Sequence, residues 1–122
     1  MRNEVLLYFG AVLPFLWGVS HLFPTVNIVK GFGEITRDNK NIIAMEWINE
    51  GVTLIFIGFI VAGVTYIGVT NSVSLFVYLS SAGVLIVLAV VSLFTGFKVN
   101  FLPFKLCPPI FTLSAVLLIL GS

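Results

Sequence analysis

The chain has 122 residues, of which 59% are hydrophobic and only 9% charged, and its mean hydropathy is +1.16. Soluble domains carry roughly 25% charged residues, so this composition excludes a soluble globular protein and indicates an integral membrane protein with one domain, residues 1–122. Six Lys and Arg residues stand against five Asp and Glu residues, and without a basic excess we do not expect the protein to bind nucleic acid.

Four apolar segments are long enough to cross a membrane, since a spanning helix needs about 20 mainly apolar residues. They cover residues 4–23, 41–68, 72–96 and 103–120. The opening segment has neither a basic start nor a small-residue cleavage site, so we expect a retained helix and not a signal peptide. The short turn after the second span makes the second and third spans antiparallel neighbours. The sequence therefore predicts an all-α protein, an integral membrane antiparallel four-helix transmembrane bundle.

Two of the predicted spans carry small or polar residues along one face, which favours close packing of helices in lipid. The face of the first span, which we expect to point into the bundle, consists of Gly10, Pro14, Trp17, Gly18 and His21. The third span has a repeat at steps of four and three, which predicts a packing seam. This seam consists of Ser74, Tyr78, Ser81, Leu85, Leu88, Ser92 and Thr95.

Residues 24–40 form a connection that is too polar to span a membrane. Apolar and polar residues are interleaved there, and Gly31 and Gly33 prevent one long helix, so we expect a broken amphipathic segment on the membrane surface. Asp38 or Asn39 is the expected N-cap of the second span. Five of the six basic residues lie in this connection or at 97–105. The positive-inside rule therefore predicts that both connections are cytoplasmic and both termini outside.

The polar residues that could carry chemistry gather at the cytoplasmic end of the first two spans. His21 ends the first span on the side where the second begins with Glu46 and Glu50, which are four residues apart on one helical face. A histidine with two carboxylates could hold a divalent metal, or could perform general acid–base chemistry if burial raised one carboxyl pKa. We assign catalytic roles to these three residues and assign no metal site. The ligand-lining residues that we expect are Trp17, Thr25, Trp47 and Thr53.

Each of these residues also has a structural interpretation. The glutamates could be N-terminal carboxylates favoured by the helix macrodipole and paired with Arg37, Lys40 or Lys98. His21 could be satisfied by hydrogen bonds at a helix end, and the tryptophans could be interfacial anchors. The single cysteine, Cys107, excludes an internal disulfide and is expected to be an ordinary small apolar residue. No ionisable residue lies in the middle of a span, which argues against a proton-coupled exporter.

Three motifs carry a resemblance to a known family: GVSHLF at the end of the first span, NIVKGF in the connection and MEWINEGVTLIFIG in the second span. Over about half of the chain they resemble the DoxX-like group of small four-helix membrane proteins and, more distantly, the fold of emopamil-binding sterol isomerases. Some DoxX-like proteins are linked to thiosulfate or quinone redox complexes, and the isomerases use histidine and glutamates to move a proton on a lipophilic substrate. The resemblance implies His21, Glu46 and Glu50 as the residues matched by type, with Trp17 or Trp47 as an aromatic wall. The fourth span has no acidic residue, which departs from an isomerase-like site.

Two functions are compatible with these features. The first is a polytopic protein of a bacterial or archaeal inner (cytoplasmic) membrane that binds a small lipophilic or amphiphilic molecule, such as a quinone, a sterol-like compound or a lipid. This molecule would lie between the first two spans near the cytoplasmic edge and could undergo acid–base chemistry. The alternative is a non-catalytic accessory or assembly subunit of a larger membrane complex. Expected partners are membrane lipids, the lipophile, and a homo-oligomer or larger complex; the sequence identifies no cofactor.

Overall fold

The structure, a computed structural model, covers all 122 residues and contains helices and the turns between them. A 3-10 turn at Gly96–Lys98 accompanies five α-helices: α1 (Glu4–Leu22), α2 (Thr25–Gly31), α3 (Arg37–Ile67), α4 (Ser72–Phe94) and α5 (Leu102–Gly121). Four of them, α1, α3, α4 and α5, are long and apolar enough to cross a membrane, and they indicate an integral membrane protein. Their ends agree with the four predicted spans to within four residues.

Local side-chain chemistry explains where several helices begin and end. Asn71 caps α4 by accepting the N–H of Ser74, while the Ser74 hydroxyl accepts the N–H of Asn71 in return. Gly68 ends α3 with a φ of 77°, a left-handed conformation that glycine adopts without steric cost. The predicted connection contains the short helix α2, followed by Gly33 at a φ of 73°. The interruption expected at Gly31 and Gly33 is therefore confirmed.

Helix α3 begins four residues earlier than predicted. Its N-cap is Thr36, whose hydroxyl accepts the N–H of Asn39, so the expected cap at Asp38 or Asn39 is wrong. The 31 residues of α3 span about 46 Å at 1.5 Å per residue, against about 30 Å for a hydrocarbon core. Roughly a third of the helix therefore exceeds the thickness of the core. Glu46 lies nine residues after Arg37 and is more than two turns from the start of the helix.

Helices α1 and α5 are central to the packing: they contact each other, and α1 also contacts α3 while α5 also contacts α4. Glycines allow the close approach of α1 to α3. A Cβ on Gly18 would lie 2.6 Å from the carbonyl oxygen of Gly51, and one on Gly58 would lie 2.5 Å from that of Ala11. The inward face predicted for α1 is confirmed, since its small residues and Pro14 are buried.

The predicted neighbours α3 and α4 contact each other beside the turn that joins them and are open at the other end. Helices α3 and α4 are joined by a short turn, and beside it the buried hydroxyls of Thr65 and Tyr78 lie 3.1 Å apart. Elsewhere the two helices share few contacts: α3 packs mainly against α1, and α4 packs mainly against α5, the next α-helix in the chain. The first half of α3 and the last turns of α4 therefore face each other across an open groove.

The end of the molecule that holds both termini is tied together by polar contacts. The N–H of Asn3 donates to the carbonyl oxygen of Gly121 at 2.8 Å, and Arg2 donates to the carbonyl oxygen of Val69 at 2.9 Å. Arg2 also pairs with Glu4, and this hydrogen bond raises the pKa of the guanidinium above its ordinary value. Arg2 is therefore charged at every pH at which a protein is normally studied.

Candidate functional site

His21, in the last turn of α1, is held in place by an aromatic residue of α3. Its imidazole lies flat on the indole of Trp47, with ring centroids 3.7 Å apart and an angle of 14° between the planes. The indole N–H of Trp47 donates to the carbonyl oxygen of His21 at 2.6 Å. Trp47 thus covers the ring and satisfies one of the free carbonyls at the end of α1. The imidazole side chain is only 8% exposed.

Glu50 of α3 lies beside this histidine. Oε2 of Glu50 is 3.4 Å from Nε2 of His21, and the carboxylate side chain is 36% exposed. Nε2 is buried and makes no hydrogen bond of good geometry. The two side chains are close enough for Coulombic interaction and for proton transfer through a small movement, without being locked to each other.

The structural interpretation of the glutamates is not supported by their surroundings. No ion pair joins Glu46 or Glu50 to the expected partners, Arg37, Lys40 and Lys98. Both glutamates also lie more than two turns into α3, and the effect of a helix macrodipole falls off within the first turn. Neither the macrodipole nor a basic neighbour on these connections therefore stabilises the two carboxylates.

A cavity of about 340 Å³, which we call the inner cavity, lies on one side of His21. Residues of α1, α2, α3 and α5 line it, and its walls are mainly aromatic or apolar. Two polar atoms at this cavity are buried without a hydrogen-bond partner, Nε1 of Trp17 and Nε2 of His21. This volume falls within the usual range of ligand sites.

The open groove between α3 and α4, which we call the groove, has a volume of about 540 Å³. Its α3 wall is polar and contains Glu46, Asn49, Glu50 and Thr53, while its α4 wall includes Leu88, Val91, Ser92 and Thr95. The Thr53 hydroxyl donates to the carbonyl oxygen of Asn49 at 2.8 Å, within its own helix. An amphiphile could therefore place an apolar part on α4 and a polar part on α3.

Four residues line both spaces and form the partition between them: His21, Trp47, Phe104 and Cys107. Trp47 meets the edge of Phe104, with centroids 5.6 Å apart, and the Cys107 thiol donates to the carbonyl oxygen of Pro103 at 3.6 Å. The two glutamates line only the groove. The imidazole is thus the one group with acid–base chemistry near neutral pH that reaches both spaces.

Most of the predicted site residues lie together. Those that line the inner cavity or the groove are Trp17, His21, Glu46, Trp47, Glu50 and Thr53. Thr25 lines neither space, and its hydroxyl donates to the carbonyl oxygen of Leu22 at 2.6 Å. No group of three or more His, Cys, Asp and Glu side chains is placed to hold a metal ion.

The start of α5 is the part of the site that the sequence analysis missed. Phe101, Phe104 and Cys107 all line the inner cavity, and Cys107 is buried there. Their spacing of three residues is a signal in the sequence, since side chains at i and i+3 share a helical face.

The chain matches no protein-family model, no curated protein and no solved structure. The resemblance to the DoxX-like group, which depends on motifs of the first two spans, stays a prediction.

Proposed function

We propose that the protein binds a small lipophilic or amphiphilic molecule beside His21 and Glu50, and that these two residues move a proton to or from it. One observation carries the proposal: a buried imidazole and a half-exposed carboxylate, 3.4 Å apart, stand at the partition between two spaces of ligand size. Buried polar atoms without partners are costly to a fold, which favours a functional reason for keeping them.

In this proposal the four long helices form an antiparallel transmembrane bundle. The contacts of α1 with α5 support it, because Asn3 meets Gly121 and Gly10 meets Leu118, in opposite order along the two helices. The end that carries the site would face the cytoplasm of a bacterial or archaeal inner membrane, as the basic residues of both connections favour. Cysteines introduced at Asn27 and Thr70, on a Cys107→Ser background, should react with a membrane-impermeant reagent from the inside and the outside respectively. The opposite pattern would reverse the orientation.

The groove is the proposed route by which a ligand enters from the membrane. The sequence predicts a ligand between the first two spans, but α1 and α3 are closed on each other where Gly18 meets Gly51. Helices α3 and α4 are not closed in this way. A ligand in the groove would lie against Leu88 and Val91 while its polar part reached Glu50.

The roles of the residues follow from which space each one lines. Glu50 faces the groove and is the proposed base that touches the ligand, while Glu46, one turn earlier, binds its polar part. His21 is held by Trp47 and stabilises the Glu50 carboxylate when protonated, because unlike charges 3.4 Å apart attract strongly in a poorly solvated site. Trp47 is a positioning residue.

Two measurements test this function. Native mass spectrometry of gently extracted protein should show a bound lipophile, and transfer of the sample to D₂O should introduce deuterium into that molecule. Glu50→Gln should retain the lipophile and lose the exchange, because an amide of the same shape cannot act as the base. Glu34→Gln, on the exposed connection, removes the same charge as a control and should exchange normally. Wild-type protein without a lipophile would refute the binding proposal, and normal exchange in Glu50→Gln would refute the chemistry.

A second candidate is an accessory subunit of a larger membrane complex. It is favoured by the exposure of large apolar side chains around α2, where Phe23 is 83%, Val26 62% and Phe32 57% exposed. Exposed apolar side chains that lie together are typical of contact surfaces for proteins or membranes. The same mass spectra distinguish the two candidates, since an accessory subunit should retain a protein partner and no lipophile.

A further inference from the structure

We infer that the inner cavity selects a molecule without positive charge that presents a hydrogen-bond acceptor, such as a ketone oxygen, to the indole N–H of Trp17. This inference rests on the proposed function only in taking lipophiles as the ligands, and it concerns the inner cavity, which Glu50 does not line. Nε1 of Trp17 is buried and has no hydrogen-bond partner. An indole N–H can only donate, so the group that completes this site must accept.

The protein itself offers no adequate acceptor to Trp17. The thiol of Cys107 is the one acceptor near the indole N–H, but its sulfur is a weak acceptor and the contact lacks the geometry of a good hydrogen bond. The other tryptophan is different, because the N–H of Trp47 is already satisfied by the carbonyl oxygen of His21. Of the two indoles in the inner cavity, only that of Trp17 therefore has a free donor.

The charges around the inner cavity disfavour a cationic ligand. Glu46 and Glu50 line the groove and not the inner cavity, so an ammonium group in the inner cavity would meet no carboxylate. A buried charge without a partner is strongly unfavourable. His21 restricts the ligand less than Trp17 does, because a neutral imidazole can donate or accept at Nε2 according to its tautomer.

The walls favour a flat ring next to the acceptor. Trp17 and Trp47 face the space together with Phe101 and Phe104, whose rings lie 5.9 Å apart at an angle of 58°. Aromatic side chains bind flat rings through stacked and edge-to-face contacts. A planar aromatic ketone combines both requirements.

A pair of probes that differ in one oxygen isolates this hydrogen bond. Fluorene and 9-fluorenone share a planar three-ring skeleton, and only the ketone has an acceptor. Equilibrium dialysis between protein-loaded and empty lipid nanodiscs measures binding in excess of partition into lipid. Wild-type protein should bind 9-fluorenone roughly tenfold more tightly than fluorene, the value of one buried hydrogen bond.

Two variants show which indole is responsible. Trp17→Phe keeps an aromatic ring and removes the N–H, so the ratio of the two affinities should fall to about one. Trp47→Phe is the matched control, in which both probes should weaken alike and the tenfold ratio should persist. Thermal unfolding of each variant confirms that it is folded.

The remaining outcomes separate this inference from the proposed function. If both probes bind with equal affinity to wild-type protein, or if the ratio survives in Trp17→Phe, the acceptor inference is wrong while binding of lipophiles stands. If neither probe binds in excess of empty nanodiscs, the inner cavity is not a site for such ligands and the acceptor inference is wrong, whereas a lipophile in the native mass spectra would still support the proposed function. 9-Aminofluorene gives a further check, since its ammonium form should bind less tightly than the ketone.

Discussion

Replacement of Gly18 by alanine should destabilise the contact between α1 and α3. The new Cβ would lie 2.6 Å from the carbonyl oxygen of Gly51, 2.9 Å from the backbone nitrogen of Ile55 and 2.9 Å from Cβ of Leu54. Two of these are backbone atoms, which cannot rotate away, so the helices must separate. Overpacking of this kind costs about 1–3 kcal/mol, and the higher helix propensity of alanine offsets about 1 kcal/mol of it. The free energy of unfolding should therefore fall by up to about 2 kcal/mol.

Chemical denaturation in detergent micelles measures this loss, and Gly63→Ala is the matched control. Gly63 lies in the interior of α3, and a methyl group added there would have no atom within 4 Å, so alanine should leave stability unchanged or raise it. Gly51 is the neighbour of Glu50 in the sequence, so separation of the helices at Gly18 should also lengthen the 3.4 Å distance from Glu50 to His21. Equal stabilities of the two variants would refute the view that glycine contacts hold α1 against α3.

Three further predictions concern polar contacts. Ser114→Ala should lower the free energy of unfolding by about 1 kcal/mol, because its buried hydroxyl donates to the carbonyl oxygen of Gly10 on another helix. Tyr78→Phe and Thr65→Val should each cost about 0.5–1.5 kcal/mol, and the double variant should cost less than the sum, because the two hydroxyls share one contact; additive losses would contradict that pairing. Arg2→Gln should lower the unfolding temperature equally at pH 6 and pH 9. Pairing with Glu4 raises the pKa of Arg2 above its ordinary value, so Arg2 is fully charged at both pH values and its contribution is lost only in strongly alkaline solution; unequal losses would contradict the pairing.

The bounds of the long helices could be predicted because apolar runs of spanning length are visible in the sequence. The start of α3 could not be predicted in this way. Residues 37–40 are all polar and look like loop to a hydropathy pattern, yet they are helical because Thr36 caps them. A helix that extends out of its apolar segment is held by local hydrogen bonds, and hydropathy does not report these.

How closely neighbouring helices pack could not be predicted from the sequence, and the reason is physical. Chain order and a short turn place the ends of α3 and α4 together, but they do not determine how the remaining length of the two helices packs. In lipid, helices pack where their backbones can approach closely. For α1 and α3 this requires Gly18 against Gly51 and Gly58 against Ala11. The matching of small residues on two helices depends on their register, which one sequence does not contain.

The candidate site follows from this difference in how closely the helices pack. The seam predicted on α4 is buried from Ser74 to Leu85, whereas its later members Leu88, Ser92 and Thr95 line the groove. A regular repeat shows which face of a helix is suited to packing, but not whether another helix covers that face. Because the first half of α3 packs against α1, it does not cover the last turns of α4. The groove lies between them, and the carboxylates of α3 face it. The charged residues of the site could therefore be identified from sequence, since such residues are rare and costly in a membrane protein. The space beside them results from a contact that α3 and α4 do not make.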